Sequence, residues 1–367
     1  MKEPKIRFKG FQGEWETTKY EEVFSLIGDT GHNVQKNEYC ERGSYPVVDQ
    51  SKEYIVGYTD KVMPIDGSKG LIIFGDHTRE IKYIDFPFCT GADGTRILKS
   101  EQSFDVRFMY YVCLSLDIPN TGYNRHFKYI KESIYNIPKT KAEQQSIASY
   151  FQHLDSLIQS TTKKIESLKQ VKAASLQSMF PQEGETTPRV RFKGFEGEWE
   201  ECLIKDKVNN ITTGKLDANA MVPNGKYRFY TCGKEYFKID KYAFDDEALL
   251  ISGNGENVGY IHYYNGKFNA YQRTYVLTSF TLNVFYLEHY LKARLSIRIN
   301  KEKSVANTPY IKMDTISDMN VLYPNDIAEQ RAIASYFTSL DRQITLHTQR
   351  LEKLKQIKAA CLDNMFV

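Results

Sequence analysis

The feature that most constrains this chain is an internal duplication. Residues 5–16, KIRFKGFQGEWE, recur at 189–200 as RVRFKGFEGEWE, and nine of the twelve positions are identical. Residues 142–180 recur at 328–366 with 22 of 39 positions identical. The two offsets, 184 and 186 residues, are nearly equal, so both matches come from one tandem duplication. Each copy therefore has the same order: a short box, a long variable segment and a helical segment.

The variable segments, roughly 17–139 and 201–325, match each other poorly although their flanks are alike. Strand-like runs such as Tyr83–Phe88, separated by Gly, Asn and Asp, predict mixed α+β domains. Similar ends around different middles indicate one scaffold that carries two specificities. The predicted organisation is a first globular domain at 1–139 with its box at 4–16, a first spacer helix at 140–181, a second globular domain at 182–325 with its box at 188–200, and a second spacer helix at 326–367.

The helical segments carry a heptad pattern. Their apolar residues alternate at spacings of four and three, as the seam of a coiled coil requires. The predicted seam residues are Ile147, Phe151, Leu154, Ile158, Ile165, Leu168, Ile333, Phe337, Leu340, Ile344, Leu351 and Leu354. Thr140-x-x-Glu143 and Asp326-x-x-Glu329 predict capping boxes at the helix starts. Each helix would be about 58 Å long, so an antiparallel pair within the chain would hold the domains apart; the alternative is dimerisation between chains.

Composition limits the possible functions. The net charge is only +3, so a nucleic-acid surface would have to be a local concentration of basic side chains. The six cysteines form no CxxC pair and have no zinc-ligand spacing to histidine, which predicts free thiols and no metal site. Without a signal peptide or an 18-residue apolar run, a cytoplasmic protein with no membrane span is expected. No phosphate loop, dinucleotide fingerprint or nucleophile elbow occurs, so no catalytic residue is predicted.

Polar loops in the variable segments are the predicted binding sites. They carry Arg, Asn, Gln and His, the side chains that read base edges, and lysines that suit phosphates. The predicted DNA-contacting residues are His77, Thr78, Arg79, Asp93, Arg96, Tyr123, Asn124, Arg125 and His126 in the first segment, and Lys215, Asn254, Asn257, Gln272, Arg273, Thr274, Asn307, Tyr310 and Lys312 in the second. Any one of them alone is more typical of a solvated loop, so the prediction depends on the set.

The box Arg-Phe-Lys-Gly-Phe-x-Gly-Glu-Trp, the helix start Ala-Glu-Gln-x-x-Ile-Ala and their twofold order together resemble the specificity subunits of type I restriction–modification systems. The resemblance covers essentially the whole chain. It implies a non-catalytic subunit with two target recognition domains, each of which reads half of a bipartite double-stranded DNA site.

The resemblance also implies partners. Two modification subunits would methylate adenine with S-adenosylmethionine, and two restriction subunits would use ATP and Mg²⁺ to translocate and cut DNA. These cofactors are expected on the partner subunits and none is expected in this chain. The alternatives are a coiled-coil scaffold or adaptor whose domains bind proteins or glycans, and an enzyme with an unrecognised site.

Overall fold

The computed structural model describes residues 3–91, 93–302 and 310–366. The chain divides into two compact units, residues 1–162 together with 349–367, and residues 163–348. Each unit holds one variable segment, part of the helix that follows it and part of the helix of the other copy. The units therefore differ from the predicted domain boundaries, because each long helix contributes to both of them.

The first unit is a mixed α+β domain whose described strands form three small sheets, ordered β1-β10, β2-β9-β6-β7 and β3-β8-β4-β5. The strands are β1 (Glu16–Lys19), β2 (Phe24–Ile27), β3 (Asn33–Val34), β4 (Tyr45–Val48), β5 (Gly57–Thr59), β6 (Leu71–Gly75), β7 (Ile81–Ile84), β8 (Cys89–Gly91), β9 (Thr95–Ser100) and β10 (Ile134–Ile137). The helices are α1 (Tyr20–Val23), α2 (Val106–Ser115), α3 (Phe127–Glu132) and the long α4 (Lys141–Ser178), with a 3-10 turn at Lys36–Glu38. The antiparallel β1–β10 pair brings the two ends of the variable segment together.

The second unit repeats this plan with one larger sheet. Its strands are β11 (Glu200–Leu203), β12 (Val208–Thr213), β13 (Tyr227–Tyr230), β14 (Phe237–Ile239), β15 (Phe244–Ser252), β16 (Ile261–Ala270), β17 (Thr274–Phe280) and β18 (Asn320–Tyr323). Its helices are α5 (Val284–Glu302), α6 (Met313–Ser317) and the long α7 (Ile327–Met365), with 3-10 turns at Ile204–Asp206 and Ala218–Ala220. The β11–β18 pair repeats β1–β10, and the other described strands form one sheet in the order β12-β17-β15-β16-β13-β14.

The two long helices are continuous over 38 and 39 residues. The twelve predicted seam residues are all buried or half-buried. Within each unit a segment of α4 packs antiparallel to a segment of α7. In the first unit Lys358 donates to Asp155 at 2.5 Å, and in the second Lys172 pairs with Asp341. The repeat offset of 186 relates both members of these pairs, so the two units use the same contact with the helices exchanged.

The aromatic core of each unit is completed by the helix of the other copy. In the first unit Phe366, at the end of the second helical repeat, lies 6.5 Å from Trp15 and 5.7 Å from Phe151 between ring centroids. In the second unit Phe180 lies 6.4 Å from Trp199 and 5.7 Å from Phe337. These rings occupy matching positions of the repeat, and the box tryptophan therefore belongs to the core.

A core position at which the two copies differ has a consequence for the pH dependence of stability. In the first unit the Tyr111 hydroxyl donates to Asp155 Oδ2 at 2.9 Å. The matching residue of α5 is His289, which is 1% exposed and has no hydrogen-bond partner on either ring nitrogen. Burial lowers the pKa of His289 to about 3 from an ordinary 6.5.

We expect His289 to reduce the stability of the protein in acid. Below pH 6.5 the unfolded chain takes up a proton at this side chain, whereas the folded chain does not until the pH approaches 3, so stability falls as the pH is lowered through this range. The thermal unfolding midpoint should therefore fall less between pH 7 and pH 5 in His289→Phe than in the wild type. Circular dichroism measures both midpoints. Equal losses in the two proteins would show that His289 does not titrate in this way.

Candidate nucleic-acid interface

Each repeated box is bound to the start of its long helix by a buried ion pair. Arg7 Nε donates to Glu143 Oε1 at 2.7 Å, and Arg7 Nη2 donates to Glu143 Oε2 at 2.9 Å. Arg191 and Glu329 repeat this bidentate pair at 2.7 and 2.8 Å. The two glutamates are 2% and 1% exposed. The ion pair explains why the box and the helix start recur together, since each needs the other.

The predicted capping boxes are only half formed. Thr140 Oγ1 accepts a hydrogen bond from Glu143 N at 3.3 Å, and Asp326 Oδ1 accepts one from Ala328 N at 2.7 Å. The glutamate carboxylates bind the box arginines and not the N-cap amides, so that part of the prediction was wrong. A guanidinium supplies two charge-assisted bonds where an amide supplies one neutral donor, which makes arginine the stronger partner.

The glutamine after each of these glutamates connects the start of the long helix to the variable domain. Gln144 Oε1 accepts a hydrogen bond from Asp105 N, the N-cap of α2, at 2.8 Å. Gln330 Oε1 accepts one from Asn283 N, just before α5, at 3.0 Å. At the start of each long helix, the glutamate therefore binds the box and the glutamine that follows it binds the variable domain.

Three loops meet at one end of the first domain, which we call the first tip (residues 76–79, 93–96 and 121–127). Asp76 N donates to Gly94 O at 2.8 Å, which joins the loop after β6 to the loop before β9. His126 N donates to Asp76 O at 2.8 Å, which adds the segment that enters α3. Asp76 is 1% exposed, and its Oδ1 accepts a third bond from Phe127 N at 2.8 Å.

The second domain builds the same junction from different residues at the second tip (residues 253–257, 271–274 and 310–312). Gly253 N donates to Arg273 O at 2.8 Å, and Ile311 N donates to Gly253 O at 2.9 Å. Two backbone bonds therefore repeat between the tips, whereas the side chains around them do not. Such an arrangement presents two different surfaces on one backbone frame.

The structure places most of the predicted residues of the first tip at its surface. Tyr123 is 85% exposed, and its ring stacks on His77 with centroids 4.5 Å apart and planes 8° apart. Arg125 Nη2 lies 3.7 Å from Asp93 Oδ2, with 61% of the Arg125 side chain exposed. Of the other residues, Thr78 and Asn124 are exposed, and Arg79 and Arg96 are half-buried. Stacked aromatic rings and a solvated arginine are groups that can contact bases and phosphates.

Most of the predicted residues of the second domain are also accessible. Lys215, Gln272, Arg273, Tyr310 and Lys312 are exposed, and Asn254 and Asn257 are half-buried. Asn254 and Tyr310 form an isolated β-bridge, which brings two of the three loops together. Asn307 lies outside the described residues.

Two predicted DNA-contacting residues are wrong, because they lie in the interior. His126 is fully buried, with Nδ1 3.0 Å from Asp76 O and Nε2 3.1 Å from Thr121 Oγ1. Thr274 is also fully buried, and its hydroxyl donates to Tyr230 O at 3.4 Å. Both side chains are satisfied within the fold and stabilise the tips from inside.

Gln50 also contacts the first tip, and the sequence did not predict this role. Its Oε1 accepts a hydrogen bond from His77 N at 3.0 Å, and its Nε2 donates to Asp93 O at 2.6 Å. It follows β4, far from both partners along the chain, and an isolated glutamine carries no signal in sequence. Only the sheet order, which places β4 beside β8, brings it to the tip.

Neither a metal site nor a membrane span is found in what the structure describes. Within residues 3–91, 93–302 and 310–366, no group of three or more His, Cys, Asp or Glu side chains could hold a metal ion. The helices of the same described ranges include none that is both long and apolar enough to cross a bilayer.

The two domains share the backbone bonds of their tips and differ in the side chains there, so the chain is a duplicated scaffold with two different tips. The model of the type I restriction modification DNA specificity domain matches the chain twice, at residues 12–170 and 196–356. The chain belongs to this family, which confirms the resemblance noted in the sequence and the mixed α+β class with an internal repeat.

Individual relatives agree with this assignment. The type I restriction enzyme EcoDI specificity subunit of Escherichia coli is 38% identical over 160 residues, which cover 44% of this chain and 35% of that protein. The match therefore spans about a third of the length of that curated relative.

Two solved structures share the fold. The crystal structure of a type I restriction–modification S subunit from M. genitalium aligns over 100% of this chain and 99% of that chain, with a TM-score of 0.72 and 18% identity. A structure that describes complex assembly and conformational transition of the type I R-M system aligns over 96% of this chain and 97% of that chain, with a TM-score of 0.52 and 14% identity.

Proposed function

We propose that this chain is the sequence-specific DNA-binding specificity subunit of a type I restriction–modification complex, and that each tip reads one half of a bipartite double-stranded target. The observation that carries the proposal is the pair of tips, which share two backbone bonds and differ in their side chains. Two tips with the same backbone and different side chains are what a protein needs to read two different short sequences.

The exposed side chains of the first tip suit direct readout. Arg125 has the fork geometry that pairs with guanine in the major groove, and Asn124 has the amide that pairs with adenine. In the second tip Arg273 and Gln272 offer the same two chemistries, and Lys312 would contact a phosphate. With a net charge of +3, the local clustering of these groups has to supply the attraction to DNA.

The length of the helices suits a divided target. A helix of 39 residues is about 58 Å long, which corresponds to roughly 17 base pairs along DNA. We expect two short specific blocks with unread bases between them.

The partners in this proposal carry the chemistry. Two modification subunits would bind S-adenosylmethionine and methylate adenine, and two restriction subunits would use ATP and Mg²⁺ to translocate and cut DNA. The duplication gives the chain two boxes and two helix starts with the same ion pair, which suits two copies of one partner. This chain would contribute specificity and no catalytic group, in the cytoplasm.

The test is a selection from random-sequence DNA. The chain copurified with its modification subunits is incubated with a pool of random duplexes, and the bound fraction is sequenced. Two short blocks at a fixed separation are expected. A single continuous motif, or no enrichment, would contradict the proposal and favour a scaffold that binds protein or glycan.

Variants at the first tip should weaken DNA binding without weakening the fold. Tyr123→Ala and Arg125→Ala change exposed side chains, so each should alter the free energy of unfolding by less than about 0.5 kcal/mol. Each should reduce the binding free energy for the selected duplex by about 1–3 kcal/mol, measured by fluorescence anisotropy. Arg189→Ala, which removes an equally exposed arginine far from the tip in sequence, is the matched control. Unchanged affinity in both tip variants would remove these residues from the interface.

A further inference from the structure

We infer that Gln50 is a positioning residue for specificity: its side-chain amide holds the two loops against which Tyr123 and Arg125 rest, and thereby fixes which bases the first tip accepts. The inference rests on the proposed function and deepens it. Gln50 itself is half-buried.

Gln50 bonds to both loops at once. Its Oε1 accepts the His77 amide at 3.0 Å, its Nε2 donates to Asp93 O at 2.6 Å, and its backbone oxygen accepts the Thr78 hydroxyl. An amide side chain can do this because it has a donor and an acceptor on one rigid group. The side chain therefore adds a second link to the Asp76–Gly94 backbone bond that joins the two loops.

Both partners of Gln50 lead directly to an exposed side chain. The His77 ring supports Tyr123 through a stack at 4.5 Å, and the Asp93 carboxylate lies 3.7 Å from Arg125 Nη2. Tyr123 and Arg125 are thus each held by a loop whose backbone is bonded to Gln50. A shift of either loop would move the side chain that rests against it, Tyr123 on His77 or Arg125 beside Asp93, relative to the DNA.

Gly94 shows how closely the loops approach Gln50. Its φ of +87° is in the left-handed region, and a Cβ at this position would lie 2.8 Å from both Gln50 Nε2 and Gln50 Oε1. It would also lie 2.8 Å from His77 Cδ2. The glycine allows the amide to reach both loops at hydrogen-bond distance.

The second domain has a different residue at this place. The Gly-x-Tyr step that begins at Gly43 and Gly225 aligns Gln50 with Cys232. Cys232 Sγ lies 3.3 Å from Arg273 O, so it contacts the same loop that Gln50 reaches through Asp93. A thiol is a weak donor and cannot bridge two loops as an amide does. The frame is thus shared, and the residue that spaces its loops differs.

The test is the positional pattern of the selected DNA. In Gln50→Glu a carboxylate oxygen would face Asp93 O in place of the amide donor and repel it, while the acceptor for His77 is kept. Selection from the random duplex pool should then show about a tenfold loss of discrimination within the first block and an unchanged second block. Gln102→Glu, an exposed change of the same charge in the same domain, should change neither block.

Epistasis separates positioning from a general structural role. On a Tyr123→Ala, Arg125→Ala background, Gln50→Glu should broaden the first block by less than about twofold further, because the residues through which it acts are gone. A first block that stays sharp in Gln50→Glu, a broadening of both blocks, or an undiminished effect on that background would overturn the inference.

Two further outcomes are decisive. If Gln50→Glu does not fold, Gln50→Met, of similar length and without the amide, takes its place; if both fail to fold, Gln50 is a structural residue and the inference is overturned. If the wild-type chain selects no bipartite site, the proposed function itself fails and the inference falls with it. A bipartite site in the wild type with an unaffected first block in the variants defeats the inference alone.

Discussion

A chain in which a second copy of residues 201–325 replaces residues 17–139 should recognise two copies of the second block, and the first block should disappear. The exchange leaves both boxes, both helix starts and both ion pairs in place. This replaces half of the target completely, which is the largest change in specificity that the duplication allows.

The contacts that the box and the helix start make with the variable segment favour this exchange. Asn283 would bring its amide to Gln144, where Asp105 now lies, and Asn and Asp are both good N-caps. Tyr286, which packs 6.0 Å from Trp199, would replace Phe108 beside Trp15. The box tryptophan therefore packs against an aromatic ring in the wild type and in the exchanged chain.

The reciprocal chain is the matched control. Residues 17–139 in place of 201–325 should give two copies of the first block, as read by selection from the random duplex pool with modification subunits present. A folded chimera that selects a sequence unrelated to either block would show that the two segments do not read DNA independently of each other.

Loss of one buried carboxylate should cost almost as much stability as a large cavity in the core. Glu143→Gln removes the buried, bidentate counter-charge of Arg7, whose side chain is 16% exposed and lies 3.9 Å from the exposed Glu3, and should lower the free energy of unfolding by about 3 kcal/mol. Glu329→Gln should do the same through Arg191. Denaturant titration followed by circular dichroism measures both values.

Two controls test the cause of this loss. Glu14→Gln changes an exposed glutamate of the same box and should be nearly neutral. Replacing Arg7 and Glu143 together by apolar residues of similar size should recover much of the stability, since no unpaired charge is then buried. A Glu143→Gln protein as stable as the wild type would show that the ion pair does not hold the box.

The long helices were predictable from the sequence because a heptad pattern over 39 residues has few other interpretations. Short strands were harder. The strand predicted at Tyr83–Phe88 has the wrong bounds, since β7 runs Ile81–Ile84. Lys82 lies within it, is 5% exposed and donates to Asp49 O at 2.7 Å. A buried lysine conceals the apolar alternation on which strand prediction depends.

The tips were predictable as loops but not as assembled sites. Arg125 and Tyr123 have the residue types expected of DNA-contacting side chains, and they are exposed. His126, next to them, has the same chemistry and is buried, because its backbone bond to Asp76 turns it inward. Sequence cannot separate such neighbours, since the contact that decides between them joins residues 50 positions apart.

The packing of Phe366 against Trp15 also bears on how this protein is made. The N-terminal domain leaves the ribosome first, yet residues 349–366, which complete its core, are translated only after 163–348. At ~5–20 residues per second that delay is roughly 10–40 s. During this time the newly made domain exposes the apolar surface that Phe366 will cover. The order in which the two domains are finished is therefore the reverse of the order in which they are begun.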